Sequence, residues 1–523
     1  MKRIALTVLA LIVALVAAWF ALAPESRGTG HGGFLISRLN SDIISTEPGD
    51  QRDENTDSVL MHVGEGLVGL REDGSVGLLL ASAVKISEDG KVYDFTLRSG
   101  VRFHNGAPLS ADSVVWSLRR YLREDSDWRC RSDLTGGVAD ILEVSALDAA
   151  HVRITLAAAA PLLLKTLARI DCAGAPVLHP DSVNADGSWN RPIGTGPFRF
   201  SRHVPNQYVE LLRFDEYSPL SGPMDGNVGN KKPLVPGVRF LIIPDSSAAA
   251  AALMSGGIDI YDGVNPNEMD VLEKTDDIRI ESVPLMDVYA LLLQTRDPLL
   301  KDARLRKAIA LSIDVGGLAV AVSNGTAGAN SSMVPVPSPF HKGAHKALIQ
   351  QNLAEARRLV AASGYRGEPI TLITNRRYLQ MFDAAVLIQA MARDAGINFE
   401  IQTFDWATQL DHYSEGTYQT MTFAYSARLD PSFNYGSVIG NKDDEPRKVW
   451  DDPVAADLLS RSAQATAAAD RQAAFDSLHT RMLTETPLVV TYNPAHIIAT
   501  RAGVEGARSW PAVQQRLWGV SKK

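Results

Sequence analysis

Residues 425–435 carry the side chains best suited to holding a small charged molecule. They follow a strand-like run and turn at a proline into aromatic and polar residues, the profile of a loop that leaves a sheet edge. Loops of this kind are where α/β proteins place ligands. If Arg428 faces such a site, its planar guanidinium can hold a carboxylate or a phosphate through two parallel hydrogen bonds. The alternative is a structural ion pair between Arg428 and Asp430 or Asp405. The candidate ligand-binding residues of this segment are Tyr425, Arg428, Asp430 and Asn434.

No motif for catalysis accompanies these residues. The chain has no G-x-S-x-G elbow, no H-E-x-x-H pair, no phosphate-binding G-x-x-x-x-G-K-[ST] and no S-x-x-K run. Residues 64–69 fit G-x-G-x-x-G, but a turn follows where a dinucleotide site needs a long helix. His341 and His345 have the spacing of a helical metal-binding pair, yet their loop rich in proline and glycine favours solvated histidines. We therefore expect that the protein is not an enzyme and binds neither a metal nor a cofactor. The alternative is a secreted hydrolase, which a catalytic motif would favour.

Length and charge limit the remaining classes of function. A chain of 523 residues exceeds the size of a single core and predicts two or three domains. The net charge is −8, and no basic block of the kind that follows phosphates occurs. Nucleic acid is therefore not an expected partner.

The N-terminus has the layout of an export signal. Met1-Lys2-Arg3 precede an apolar run over residues 4–23 that only Thr7 interrupts. Alanines at 21 and 23 suit cleavage after residue 23, whereas Pro24 disfavours it, and twenty apolar residues can also span a bilayer. We expect a periplasmic protein whose N-terminal segment is either cleaved or retained as a membrane anchor. Cys130 and Cys172, the only cysteines, would form one disulfide in that oxidising compartment, with two buried thiols as the alternative.

The elements that must position the candidate site are strands and helices in alternation. Residues 238–243, 248–254 and 258–261 illustrate this order of strand, helix and strand, which predicts an α/β architecture. The richest stretch, residues 87–118, reads SEDGKVYDFTLRSGVRFHNGAPLSADSVVWSL. It predicts a turn, a strand with Tyr93, Phe95 and Leu97 on one face, a second turn, and a helix capped by Ser110.

This stretch resembles the signature of the family 5 solute-binding proteins, the large periplasmic receptors of peptide, nickel and related ABC importers. Further segments resemble the same family in the same order: IGTGPF at 193–198, SGGIDI at 255–260, KDARLRKAI at 301–309, and EARRL with SGY between 355 and 365. The resemblance implies a two-lobed periplasmic-binding-protein fold with an extra inserted domain. It assigns residues 34–64, 190–284 and 491–523 to lobe I, 65–189 to the inserted domain, and 285–490 to lobe II, after an N-terminal segment over 1–33.

The resemblance also implies a ligand cleft and the residues near it. Trp406 matches a tryptophan-bearing loop near the ligand of peptide-binding relatives, and Arg376 and Arg377 follow a strand where some relatives anchor a ligand carboxylate. Those relatives carry an ammonium-binding aspartate where this chain has Arg428 or, with a shift, Asp430. We expect a monomeric receptor that delivers a short or modified peptide to ABC permease subunits. An anionic solute, such as an opine-like compound or a sugar acid, is the alternative that Arg428 raises.

Overall fold

The computed structural model describes residues 33–523 except 51, 52 and 429, so the apolar run at 4–23 lies outside the described residues. The strands are β1 (Leu35–Leu39), β2 (Val68–Leu70), β3 (Val76–Leu78), β4 (Ala81–Ile86), β5 (Val92–Leu97), β6 (Ile141–Ala146), β7 (His151–Leu156), β8 (Phe198–Val204), β9 (Tyr208–Arg213), β10 (Met224–Asp225), β11 (Val228–Gly229), β12 (Gly237–Ile242), β13 (Ile260–Asp262), β14 (Ile278–Pro284), β15 (Val288–Leu293), β16 (Gly328–Ala329), β17 (Ile370–Asn375), β18 (Phe399–Phe404), β19 (Thr420–Tyr425), β20 (Leu488–Asn493), β21 (Ala495–Arg501), β22 (Val504–Glu505) and β23 (Ser521–Lys522).

The α-helices of the described residues are α1 (Glu54–Leu60), α2 (Ala111–Leu122), α3 (Arg131–Leu134), α4 (Leu163–Leu167), α5 (Ser246–Ser255), α6 (Met269–Leu272), α7 (Ala303–Ser312), α8 (Val315–Ser323), α9 (Leu353–Ser363), α10 (Leu379–Asp394), α11 (Trp406–Glu415), α12 (Pro431–Val438), α13 (Pro453–Gln464) and α14 (Ala468–Glu485). Within the described ranges, none of these helices is long and apolar enough to cross a membrane.

Two large sheets form the centres of two lobes. The seven-stranded sheet of lobe I has the order β14-β21-β13-β1-β12-β9-β8, with β1 parallel to β12 and β13. The six-stranded sheet of lobe II has the order β16-β20-β15-β19-β17-β18, with β17 parallel to β18 and β19. β20 is buried along its whole length because apolar side chains pack on both faces of this sheet.

A smaller unit lies between α1 and β8 in sequence, and we call it the inserted unit. Its antiparallel sheet has the order β4-β5-β7-β6 and packs against α2. Tyr93, Phe95 and Leu97 of β5 point into this core, as the alternation in the sequence predicted. Ser110 caps α2 through a reciprocal capping box with Ser113, so the predicted start of that helix is confirmed.

A disulfide joins Cys130 to Cys172 within the inserted unit, with the Cα atoms 5.7 Å apart. Cys130 immediately precedes α3, and Cys172 ends a short 3₁₀ turn, Ile170–Cys172. Both cysteines are fully buried. The bridge therefore fixes this turn to the core of the unit.

The chain crosses between the two lobes twice, at adjacent points. The first crossing joins β14 to β15, and the second is Pro494, between β20 and β21. The amide of Leu285 donates to the carbonyl of Pro494 at 2.7 Å, and the side-chain amide of Asn493 donates to the carbonyl of Asp287 at 2.6 Å. Two paired crossings allow the lobes to rotate while keeping them in register.

Candidate ligand-binding cleft

A cavity of about 90 Å³ lies between the lobes beside these crossings. Its volume is about that of three water molecules in the liquid, so it fits one end of a ligand. Its walls come from lobe I, the inserted unit, lobe II and the C-terminal segment, and consist of Glu54, Asp57, Ile170, Asp171, Asp287, Ser426, Ala427, Ala512 and Val513.

The four acidic side chains of the cavity come from three separate parts of the chain. Glu54 and Asp57 lie in the first turn of α1, which Asp53 caps. Asp171 sits in the 3₁₀ turn that the disulfide fixes, and Asp287 lies in the first crossing. No lysine, arginine or histidine is among the described residues that line the cavity. The cavity is therefore lined by four carboxyl groups and by no basic side chain of the described residues.

Asp171 stays ionised because arginines surround it. Arg169 donates to its carboxylate at 2.8 Å, and Arg129 lies 3.3 Å away. Burial alone would favour the neutral acid, yet the hydrogen bond and charge of Arg169, with the charges of Arg129 and Arg428, hold the pKa of Asp171 well below its usual range.

The pKa of Glu54 is raised, whereas that of Asp171 is lowered. The side chain of Glu54 keeps an exposed surface, and desolvation by the surrounding protein raises its pKa to about 8. The charge of His496 opposes this shift, and the charge of Asp287 adds to it. A cation placed beside such a carboxyl group stabilises its ionised form.

Arg428 lies next to the cavity and is half-buried. Its guanidinium donates to Ser426 Oγ at 3.3 Å and to the carbonyl of Ala427 at 3.4 Å. Its positive charge contributes to the low pKa of Asp171, so a carboxylate of the inserted unit is its electrostatic neighbour. Asp405 instead caps α11 through the amide of Thr408.

Three other candidates from the same segment are buried away from the cavity. The carboxylate of Asp430 is fully buried, caps α12, and pairs with Lys165 at 3.1 Å and with Arg471 at 2.5 Å. Tyr425 is buried among the rings of Tyr413 and Phe423, and Asn434 donates to the carbonyl of Met333 at 2.9 Å. The expectation that these side chains contact a ligand finds no support in this geometry.

The remaining candidates lie together at the carboxyl ends of β17 and β18. The Arg376 guanidinium lies 3.7 Å from the centre of the Phe382 ring, and Arg377 lies 5.7 Å from that of Tyr378. Trp406 meets the Tyr378 ring edge-on at 5.0 Å. They share the sheet edge that also leads to Ser426 and Ala427, but they do not line the cavity.

Sequence reasoning missed the residues that do line the cavity. Glu54 and Asp57 have the pattern of acidic residues in the first turn of any capped helix. Val513 is a second kind of missed residue: its φ of 51° is uncommon for a branched side chain. A valine held in that region at a cavity wall marks a position where the fold imposes a strained backbone.

Within the described ranges, no group of three or more histidine, cysteine, aspartate or glutamate residues is arranged to hold a metal ion.

Two lobes, two adjacent crossings and a charged cavity between them define a two-lobed solute-binding protein. Comparison with known proteins gives its family. Residues 75–445 match the model of the bacterial extracellular solute-binding proteins, family 5. The chain belongs to this family.

Individual relatives agree with that assignment. The chain is 23% identical over 476 residues to the oligopeptide-binding protein AppA of Bacillus subtilis, which covers 86% of this chain and 83% of that protein. The substrate-binding protein CtaP of Listeria monocytogenes has the same fold, with a TM-score of 0.82, 21% identity, and coverage of 94% and 100% of the two chains. DppA of Helicobacter pylori, solved in complex with the peptide STSA, has a TM-score of 0.75, 23% identity, and coverage of 94% and 98%.

Proposed function

We propose that this protein is an exported receptor that captures a short peptide between its lobes and delivers it to an ABC importer. The observation that carries the proposal is the cavity whose acidic residues Glu54, Asp57, Asp171 and Asp287 come from both sides of the cleft. A ligand that contacts all of them stabilises the closed arrangement of the lobes. The chemical group that suits this cavity is a primary ammonium, such as the N-terminus of a peptide.

The energies required are modest. Receptors of this kind need an affinity near 1 μM, or about −8 kcal/mol. Charge-assisted hydrogen bonds from an ammonium to carboxylates are about twice as strong as neutral ones, and an enclosed cleft strengthens them. No chemical step is needed, so we propose a binding function without catalysis.

The acidic lining favours a cationic group over the anionic solutes that Arg428 suggested from sequence. Arg428 already lies close enough to Asp171 to lower its pKa. Two relatives, an oligopeptide-binding protein and a DppA solved in complex with a peptide, support a peptide ligand as well.

Several further features belong to the same proposal. We place the protein in the periplasm as a monomer, with the segment before residue 34 either cleaved or retained as an anchor. We keep the predicted division into lobe I, an inserted domain over residues 65–189 and lobe II, with the second crossing at Pro494 instead of near residue 490.

A thermal-shift screen with matched ligands tests the proposal. Each di- to pentapeptide is paired with its N-acetylated form, and opines and sugar acids are screened beside them. A ligand at about 100 times its Kd stabilises the native state by about 2.7 kcal/mol. We expect free peptides to raise Tm and acetylated peptides to have little effect. Equal shifts from both forms, or shifts only from the acids, would contradict an ammonium site.

A further inference from the structure

The inserted unit touches lobe II through a buried ion pair. Lys165 of α4 lies 3.1 Å from the carboxylate of Asp430, which precedes α12 of lobe II. Asp430 is fully buried, and its second carboxylate oxygen pairs with Arg471 of its own lobe. The carboxylate therefore keeps one partner if the lobes separate, whereas the side chain of Lys165 would lose its carboxylate.

The inserted unit is attached firmly to lobe I rather than to lobe II. Glu65, at the junction, is buried and pairs with Lys231 at 2.9 Å. It also accepts hydrogen bonds from Tyr217 at 2.9 Å and from Thr195 at 3.1 Å. A buried carboxylate held by three partners makes this junction costly to open, so Lys165 moves with lobe I.

The contact between the inserted unit and lobe II is easier to open than the junction with lobe I. Beside the ion pair, a groove of about 440 Å³ runs between the inserted unit and residues of α12 and α13. A second contact crosses the same boundary, where the Arg169 guanidinium lies 5.6 Å from the centre of the Phe433 ring. Both contacts are polar or charged, which suits surfaces that must return to water.

The segment from Lys165 to Asp171 also reaches the ligand cavity. Arg169 pairs with Asp171, which lines the cavity, while its guanidinium faces Phe433 across the boundary. A ligand held at Asp171 and the ion pair at Lys165 therefore stabilise one and the same contact between the inserted unit and lobe II.

We propose that the Lys165–Asp430 pair is a latch that holds the inserted unit against lobe II and shifts the protein toward its closed form before a ligand arrives. The inference rests on the proposed function, which requires lobes that open and close. It gives Asp430 a role in closure instead of ligand contact. The latch also adds an attraction between the lobes that does not depend on the identity of the ligand.

Small-angle X-ray scattering of the ligand-free protein tests the latch. Lys165→Met should raise the ratio of open to closed molecules about tenfold, which corresponds to about 1.4 kcal/mol, and increase the radius of gyration. Lys165→Arg should keep the wild-type scattering. Lys91→Met is the matched control, because Lys91 is an exposed lysine in the β4–β5 turn of the same unit.

A second variant guards against indirect effects. Asp430→Asn keeps a good helix cap but removes the charge. If the pair acts directly, Lys165→Met combined with Asp430→Asn should open the protein no more than Asp430→Asn alone. Wild-type scattering from Lys165→Met, or additive effects of the two substitutions, would overturn the latch. Because no ligand is added, failure of peptide binding and failure of the latch give separate results.

Discussion

Removing the disulfide should destabilise the inserted unit by several kcal/mol. The bridged cysteines are separated by 42 positions in sequence. A chain-entropy estimate for a closed loop of this size gives about 4 kcal/mol at 25 °C. Cys130→Ala combined with Cys172→Ala should therefore lower the free energy of unfolding by roughly that amount. The loss should include the wall of the cavity, because Cys172 directly follows Asp171.

Urea unfolding followed by tryptophan fluorescence measures this loss, and one of the eight tryptophans lies beside the bridge. Trp128 stacks on Tyr121 with the ring centres 4.9 Å apart, and its indole N–H donates to the carbonyl of Cys172 at 3.3 Å. Thiol titration of the denatured, unreduced wild type is the control and should find no free thiol. Two titratable thiols, or a loss below about 1 kcal/mol, would refute the reasoning.

Three further predictions concern pH and strain. Burial lowers the pKa of His62 to about 3 and of His104 and His479 to about 4. The unfolded state therefore binds more protons below about pH 6.5, and urea unfolding should show stability falling by about 1.4 kcal/mol per pH unit and histidine toward pH 4; equal stability at pH 7 and pH 5 would be contrary evidence. Glu54 has a raised pKa, so it costs stability as pH rises from about 4.5 to 8, and Glu54→Gln should raise Tm at pH 8 but not at pH 4. Val513→Gly should relieve a left-handed backbone worth about 1–2 kcal/mol, and an unchanged or lower Tm would show that the valine side chain contributes more than the strain costs.

The fold could be predicted further than the cavity because its signals are local. Alternation in β5 and the cap at Ser110 depend on residues close in sequence, and both appear as expected. The second crossing lies later in the chain than expected. β20 continues to Asn493, past the crossing predicted near Val490, because Tyr492 still pairs with Tyr289.

The candidate site was harder because its contacts are distant in sequence. Asp430 has the appearance of a loop ligand, but Lys165, 265 positions earlier, occupies its carboxylate. The sequence suggests Asp430 or Asp405 as the partner of Arg428, whereas in the structure the charge of Arg428 lowers the pKa of Asp171 in the inserted unit. Acidic residues from three segments form no motif, and only the folded chain brings them together.

The most direct test of the account is calorimetric titration of a peptide selected by the thermal-shift screen into wild type and Glu54→Gln. Glu54 lines the cavity, and the substitution preserves shape while removing a carboxyl group that an ammonium beside it would cause to ionise. Glu88→Gln is the matched control, an exposed glutamate in the turn before β5. We predict that Glu54→Gln weakens binding by at least about tenfold, or about 1.4 kcal/mol, while Glu88→Gln binds as the wild type does. Equal affinity of all three proteins would contradict a peptide site built on the acidic cavity.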